Sequence, residues 1–580
     1  MSFKLRSLAP KVLGARLLKK GSSKKAPQKL NMLNRIFNHQ SKTIFSAAVI
    51  LGAASLMSRI LGLVRESIFA AKFGAGDTMD IYNAAFRIPD LVYSLLVLGA
   101  LSAGFVPIFT AYYRGQPPPG RGLPPGSGPQ TEAWYIANGI LNIIVISAII
   151  ICGFLILLSP WLVPLIAPGF GPEKSVLAVN LTRLMFLSPI FLAVSAVLGG
   201  ILQSLRKFFI YSLAPIFYNL GIIFGALFLV KSWGIYGLGV GVVLGAFCHM
   251  LIQAPPVVLS GFRYRLIFGL THPGIRRLGR LMIPRTLSLA VSQFDLIVMT
   301  IIGSTLASGS IAIFIFAYNL ASLPWGVVAV SFALAVFPVL SQFAAQKNWP
   351  QFLKNFSGAL RQILFFIIPM SALLLVLRTQ IVQVVFGHGL FGANQFSQSA
   401  ADLVSRTLFY FALGLFAFSL DQFLARAFFS LENTKTPFFI GVAATLVNIS
   451  GSLVFIRYFS VAGLALGLVL AALIRVSLAW VFLKKEVKKF FALPERTDAL
   501  GEKQIFISLI KIVFASLAAA SAAYLILSLT APLINLKTTL GIFVQGLMAG
   551  LAGLLTYCFL TFLLRLPEMV GLWQKIRKNE

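Results

Sequence analysis

Apolar residues in this chain come in long unbroken runs rather than in alternation. Fourteen such segments follow Thr43, at 44–72, 79–113, 134–158, 176–203, 209–230, 235–259, 279–303, 308–342, 355–377, 400–430, 437–457, 461–483, 505–529 and 538–564. A run of about 20 apolar residues crosses a bilayer as a helix, because only a helix satisfies its own backbone groups there. Stretches such as "NIIVISAIIICGFLILL" lack the period-two pattern of a membrane β-barrel. The expected fold class is therefore an all-α polytopic membrane protein with about 14 transmembrane helices. Several runs exceed 25 residues, which implies tilt or extension beyond the hydrocarbon.

The pattern also repeats. "SLRKFFIYSLAPIFYNLGIIFGALFLVKSWGIYGLGVGVVLGAF" begins at Ser204, and "SLENTKTPFFIGVAATLVNISGSLVFIRYFSVAGLALGLVLAAL" begins 226 positions later at Ser430 (430 − 204). At that offset Lys231 meets Arg457, Gly237 meets Gly463 and Gly241 meets Gly467. "GFVPIFTAYY" from Gly104 matches "AVFPVLSQFA" from Ala335 at nearly the same separation, 231 (335 − 104). Six segments separate the copies. Six is even, so both enter the membrane from the same side, as parallel repeats do. The expected organisation is a basic cytoplasmic tail (1–43), a six-helix lobe (44–259), a basic cytoplasmic linker (260–278), a second six-helix lobe (279–483), a basic cytoplasmic loop (484–504), two further transmembrane helices (505–565) and a cytoplasmic tail (566–580).

Composition agrees with a membrane chain. Mean hydropathy is +0.88, and 11% of residues are charged, against about 25% in soluble proteins. The formal net charge of +33 sits in loops and tails. The first 42 residues carry eleven Lys and Arg and no acid, and the 6–7 and 12–13 connections are basic while the alternate ones are poor. That asymmetry places both termini in the cytoplasm and suits anionic lipids, without any nucleic-acid motif. The tail also has the composition of a targeting segment, and Met32 offers an alternative start. The proline- and glycine-rich stretch from Arg114 to Gln130 reads as a disordered connector. Cys152, Cys248 and Cys558 lie far apart and the four histidines show no ligand spacing, so neither a metal, a cofactor nor a disulfide framework is expected. With no phosphate-binding loop and no catalytic constellation, the chain reads as a non-enzyme.

Charge inside the apolar runs carries the chemistry, because it is costly there. The first segment holds Arg59, Arg65 and Glu66. Arg59 and Glu66, seven apart, share a helix face, and Arg65 lies about 100° from Glu66. One reading is mutual neutralisation for assembly. The other is a cationic cavity wall: two guanidiniums against one acid leave positive charge, which suits a phosphate. The second segment adds Arg87, Pro89 and Asp90, where Arg87 and Asp90 are spaced to pair and Pro89 to kink the helix. The seventh adds Arg285 and Asp295, and Arg475 near a helix end reads as snorkelling.

"SRILGLVRESIFAAKFGAGDTMDIYNAAFRIPDLV" with "GALSAGFVPIFTAYY", and later "VSQFDLIVMTIIGSTLASGSIA", "LARAFFSLENTKTP" and "AGLALGL", resemble the MurJ/MviN family of lipid II flippases in the MATE-like MOP superfamily. The resemblance covers roughly residues 44–565. It implies a carrier that moves the undecaprenyl-pyrophosphate-linked disaccharide peptide from the inner to the outer leaflet of the inner (plasma) membrane by alternating access. Its partners would be that lipid-linked peptidoglycan precursor, membrane lipids, a coupling ion and cell-wall synthesis enzymes. Family arginines that line the central cavity fall on Arg59 and Arg65, and family acids on Glu66 and Asp80. Family charges are missing at Tyr93, Ser94, Leu98, Asn319 and Ser322; Arg87, Arg285 and Asp295 are the residues here that could replace them. Another MOP-type carrier, for a polysaccharide unit or drugs, and a non-transporting scaffold are the alternatives.

Overall fold

The computed structural model describes residues 44–98, 104–115, 128–387, 395–494 and 497–571. They are helices joined by short turns, with no strand among the described residues. The proposed tail 1–43 and residues 116–127 of the proline-rich connector lie outside them. Helices form where the apolar runs predict them and mostly run longer. The run at 134–158 becomes Pro129–Ile166, and that at 355–377 becomes Trp349–Val382. The 38 residues of Pro129–Ile166 reach about 57 Å at 1.5 Å per residue, well beyond a hydrocarbon core of about 30 Å. Tilt or protrusion is thus required.

Eleven helices among the described residues are long and apolar enough to cross a membrane. The segments around Ile44–Phe73, Asp77–Tyr93 with Phe105–Tyr113, and Pro273–Ser304 are helical as well, so the fold is compatible with fourteen passes. The chain is a multi-pass membrane protein. Pro89 does not end its helix: Asp77–Tyr93 runs through it and then loosens into a π turn at Ser94–Leu98.

The repeat is visible in one hairpin of each half. Phe208–Phe224 passes through a π turn, Gly225–Leu229, into Val230–Trp233 and returns as Tyr236–Leu251. Its counterpart is Lys435–Phe459 returning as Val461–Phe490. Both hairpins turn on one unusual backbone conformation: Gly234 has φ 55, ψ −140 and Ser460 has φ 51, ψ −136. A Cβ on Gly237 would fall 2.4 Å from the Val230 nitrogen, and one on Gly463 would fall 2.6 Å from the Ile456 nitrogen. Gly234 and Ser460, Gly237 and Gly463, and Val230 and Ile456 are each 226 apart. Small residues let the two helix backbones meet directly, the usual route to tight association in lipid.

The core shows how the halves join. One buried cluster spans both, with Ile68, Phe69, Leu181 and Leu238 from the first half and Phe314, Phe411 and Leu464 from the second. It lies at the end of the molecule that carries the turns near residues 74, 169 and 309. Toward the opposite end the core divides in two, with Ile275, Leu278 and Met282 of Pro273–Ser304 packed against the first-half part. Phe105, Ile136, Ile201 and Val257 form one; Phe356, Leu364, Phe423 and Leu483 form the other. The halves share one core at the closed end and meet through fewer contacts at the other, Gln293 with Ser94 and Thr286 with the Leu95 carbonyl among them.

Candidate substrate-binding site

Arg59 sits midway along Ile44–Phe73 and is half-buried. Its Nη2 donates to the Gly326 carbonyl, 3.1 Å away on Ser310–Ala345 in the other half. The guanidinium lies directly over Gly326, where a Cβ would come 2.6 Å from the Arg59 Nη1 and displace it. No described carboxylate pairs with Arg59. The guanidinium also borders a cavity of about 500 Å³ whose remaining walls come from the first half, including Tyr93, Gln203, Tyr211 and His249.

Arg65 is arranged differently. Its Nη2 pairs with the Glu66 Oε1 at 2.6 Å and its Nη1 donates to the Asn219 Oδ1 at 3.1 Å. Glu66 is buried. Of the two readings of this trio, neutralisation describes Arg65 and Glu66, and the uncompensated cation is Arg59. The Arg65 Nε has no partner, so one donor of the fork stays open.

Arg87 and Asp90 form no ion pair. Arg87 turns instead to Pro273–Ser304, donating from Nε to the Thr300 Oγ1 at 2.9 Å. Asp80 is buried and accepts from the backbone nitrogens of Gly309, at 2.7 Å, and Ala312, at 2.8 Å. It therefore caps the start of Ser310–Ala345 with an acid, where free N–H groups and the helix dipole favour one. Asp77 beside it pairs with Lys174 and accepts from Ser308. These contacts tie the halves together at the closed end.

Asp295 lies within the second half. It accepts from Thr445 at 3.0 Å and Asn448 at 3.1 Å, and pairs with Arg475 at 3.1 Å. Arg475 also pairs with Asp421 at 3.2 Å. The snorkelling expected of Arg475 is replaced by a ladder of two acids around one guanidinium, because Pro273–Ser304 and Gln398–Ser430 bring both carboxylates within its reach. Arg285 belongs to the helix Pro273–Ser304, but its side chain lies outside the described residues. At the positions lacking family charge, Ser94 accepts a hydrogen bond from Gln293, and the Ser322 hydroxyl donates to the Asn319 carbonyl.

Sequence reading did not single out Asn219, Thr300 or Gly326, the groups that orient Arg65, Arg87 and Arg59. Each partner is more than 150 residues away along the chain. The only local hint was polarity: Asn219 and Thr300 interrupt strongly apolar runs.

Comparison with known proteins places the chain in a family. The family described as "Lipid II flippase MurJ" matches residues 69–545. A probable lipid II flippase MurJ of Vibrio cholerae is 29% identical, over 76% of this chain and 83% of that protein. A solved lipid II flippase MurJ in an inward closed conformation superposes with a TM-score of 0.69 at 24% identity, over 89% of this chain and 100% of the other. An inward-facing multidrug resistance MATE family transporter of the MOP superfamily shares the fold more distantly, with a TM-score of 0.59, 14% identity and coverage of 78% and 99%. The match covers most of the chain, and the chain belongs to the MurJ lipid II flippase family.

Proposed function

We propose that this protein carries the undecaprenyl-pyrophosphate-linked peptidoglycan precursor, lipid II, from the inner to the outer leaflet by alternating access. The observation that carries the reading is Arg59, a guanidinium without a carboxylate partner at the wall of a large cavity in a chain of this family. A membrane protein that exposes an unneutralised arginine to a cavity gains from an anion there. A pyrophosphate matches the guanidinium fork in shape and charge.

The roles of the individual residues follow. Arg59 grips the pyrophosphate, and Arg87 supplies a second cation once its bond to Thr300 is exchanged. Arg65, held by Glu66 and Asn219, supports the wall. Arg285 stands in for the basic family charges missing at Tyr93 and Ser94. Asp80 acts as a latch between lobes 44–259 and 279–483, which rock about the shared core, while the helices of 505–565 flank them. Asp295 belongs to the Arg475 ladder and acts on the substrate only through the shape of its lobe. The closed end faces the outer leaflet, and both termini lie in the cytoplasm, in keeping with the basic loops. A coupling ion and partner enzymes of cell-wall synthesis complete the cycle.

Replacing the sole lipid II flippase of a host cell with this gene tests the reading. Growth with labelled precursor reaching the cell surface is expected. Growth arrest with the protein present in the membrane, and precursor retained inside, overturns it.

A further inference from the structure

One polar cluster takes no part in the contacts above. Ser195, on Leu187–Ser204, is fully buried; His249 and Gln253 stand four residues apart near the end of Tyr236–Leu251. The Gln253 Nε2 donates to the Ser195 Oγ at 2.6 Å and to the His249 carbonyl at 3.1 Å. The Ser195 Oγ lies 2.6 Å from the His249 Nδ1. All three line the cavity of about 500 Å³ that Arg59 borders, a volume within the roughly 300–1,000 Å³ of small-ligand sites.

A self-contained structural cluster would satisfy its members, and this one does not. The His249 ring is engaged through Nδ1 alone, and the Gln253 Oε1 has no partner. Tyr93 and Tyr211 line the same cavity. Buried polar groups are normally paired, so unpaired ones around one space point to an occupant that pairs them. Gly199 shapes the wall: a Cβ there would come 2.9 Å from the Gln253 Oε1 and 3.1 Å from the Tyr211 ring.

The lining combines neutral donors and acceptors with aromatic rings and with apolar residues such as Leu51, Val106 and Leu192, and carries one cation at the border. A bare anion needs charge, and an acyl chain needs no hydrogen bonds. A sugar needs both features found here: hydroxyl or acetamido groups take the hydrogen bonds, and its apolar C–H face packs on aromatic rings. We propose that this first-half cavity is the glycan subsite, in which His249, held by Ser195 and Gln253, reads a sugar hydroxyl or acetamido group together with Tyr93 and Tyr211. This rests on the proposed function and adds to it where the headgroup beyond the pyrophosphate lies.

Equilibrium binding to the full-length protein in nanodiscs tests the assignment. Three probes are used: lipid II, undecaprenyl pyrophosphate carrying one N-acetylhexosamine and no peptide, and undecaprenyl pyrophosphate alone. His249→Ala and Tyr211→Phe are expected to weaken both sugar-bearing probes about tenfold and the bare pyrophosphate less than twofold. Tyr211→Phe removes one oxygen, so it reports even where His249→Ala fails to fold. Equal weakening of all three probes, weakening confined to the peptide-bearing probe, or no change overturns the subsite. Arg59→Ala separates the two proposals, since it should weaken all three probes. If it weakens none, the pyrophosphate reading fails independently of the sugar reading.

Discussion

The hairpins at 208–251 and 435–490 share one backbone plan and differ in what they do with charge. Asn219 on the first and Thr445 on the second are 226 apart. Asn219 accepts from a guanidinium, that of Arg65; Thr445 donates to a carboxylate, that of Asp295. The equivalent place is thus used for opposite signs. In the second half the charge is enclosed, with Arg475 held between Asp295 and Asp421. In the first half Arg65 is neutralised and Arg59 is left to the cavity. Packing preserved the geometry of the hairpin while polarity diverged.

The largest effect expected from breaking this comparison is at Arg475. Arg475→Ala leaves Asp295 and Asp421 without their cation, and removing one partner of a buried pair costs about 3–5 kcal/mol. Thermal denaturation in detergent should show a large loss, with partial recovery on adding Asp421→Asn. A near-parental melting temperature for Arg475→Ala would show that the ladder is not structural.

The helix seams give an intermediate effect. A Cβ on Gly225 would lie 2.5 Å from the Gly241 Cα, whereas one on Gly451, its counterpart 226 residues on, meets nothing closer than 3.5 Å. Gly225→Ala should destabilise by about 1–3 kcal/mol through overpacking, and Gly451→Ala should be nearly neutral. Equal melting temperatures for the two variants would mean that the seams are more alike in packing demand than these distances indicate.

The smallest effect is at the turns. Ser460 holds a positive-φ conformation that its counterpart fills with Gly234. Strain of this kind costs roughly 1–3 kcal/mol in a residue with a side chain. Ser460→Gly should raise stability by about 1 kcal/mol, and Gly234→Ser should lower it similarly, both read by denaturation.

Much of the fold was legible because its signals are local or periodic. Apolar run length gave the helices, and Gly237 and Gly463 gave the repeat before any contact was known. The surplus arginine was legible as a charge imbalance within one helix. Which arginine carried it was not, because that depends on Glu66 lying within reach of Arg65 and on Gly326 arriving from the other half. The Arg475 ladder was illegible for the same reason: Asp295 is 180 residues away, and their meeting depends on how three helices are rotated. The cluster of Ser195, His249 and Gln253 left only a faint trace, two polar residues four apart on an apolar helix.

The most direct test of the central claim is the surface exposure of labelled lipid II in cells whose only flippase is the Arg59→Ala variant, at membrane abundance matched to the parent protein. Arg59 makes one hydrogen bond across the halves and no ion pair, so the variant should fold and insert. The account predicts that precursor accumulates inside and growth stops, with partial recovery in Arg59→Lys. Parental surface exposure and growth in Arg59→Ala would contradict it.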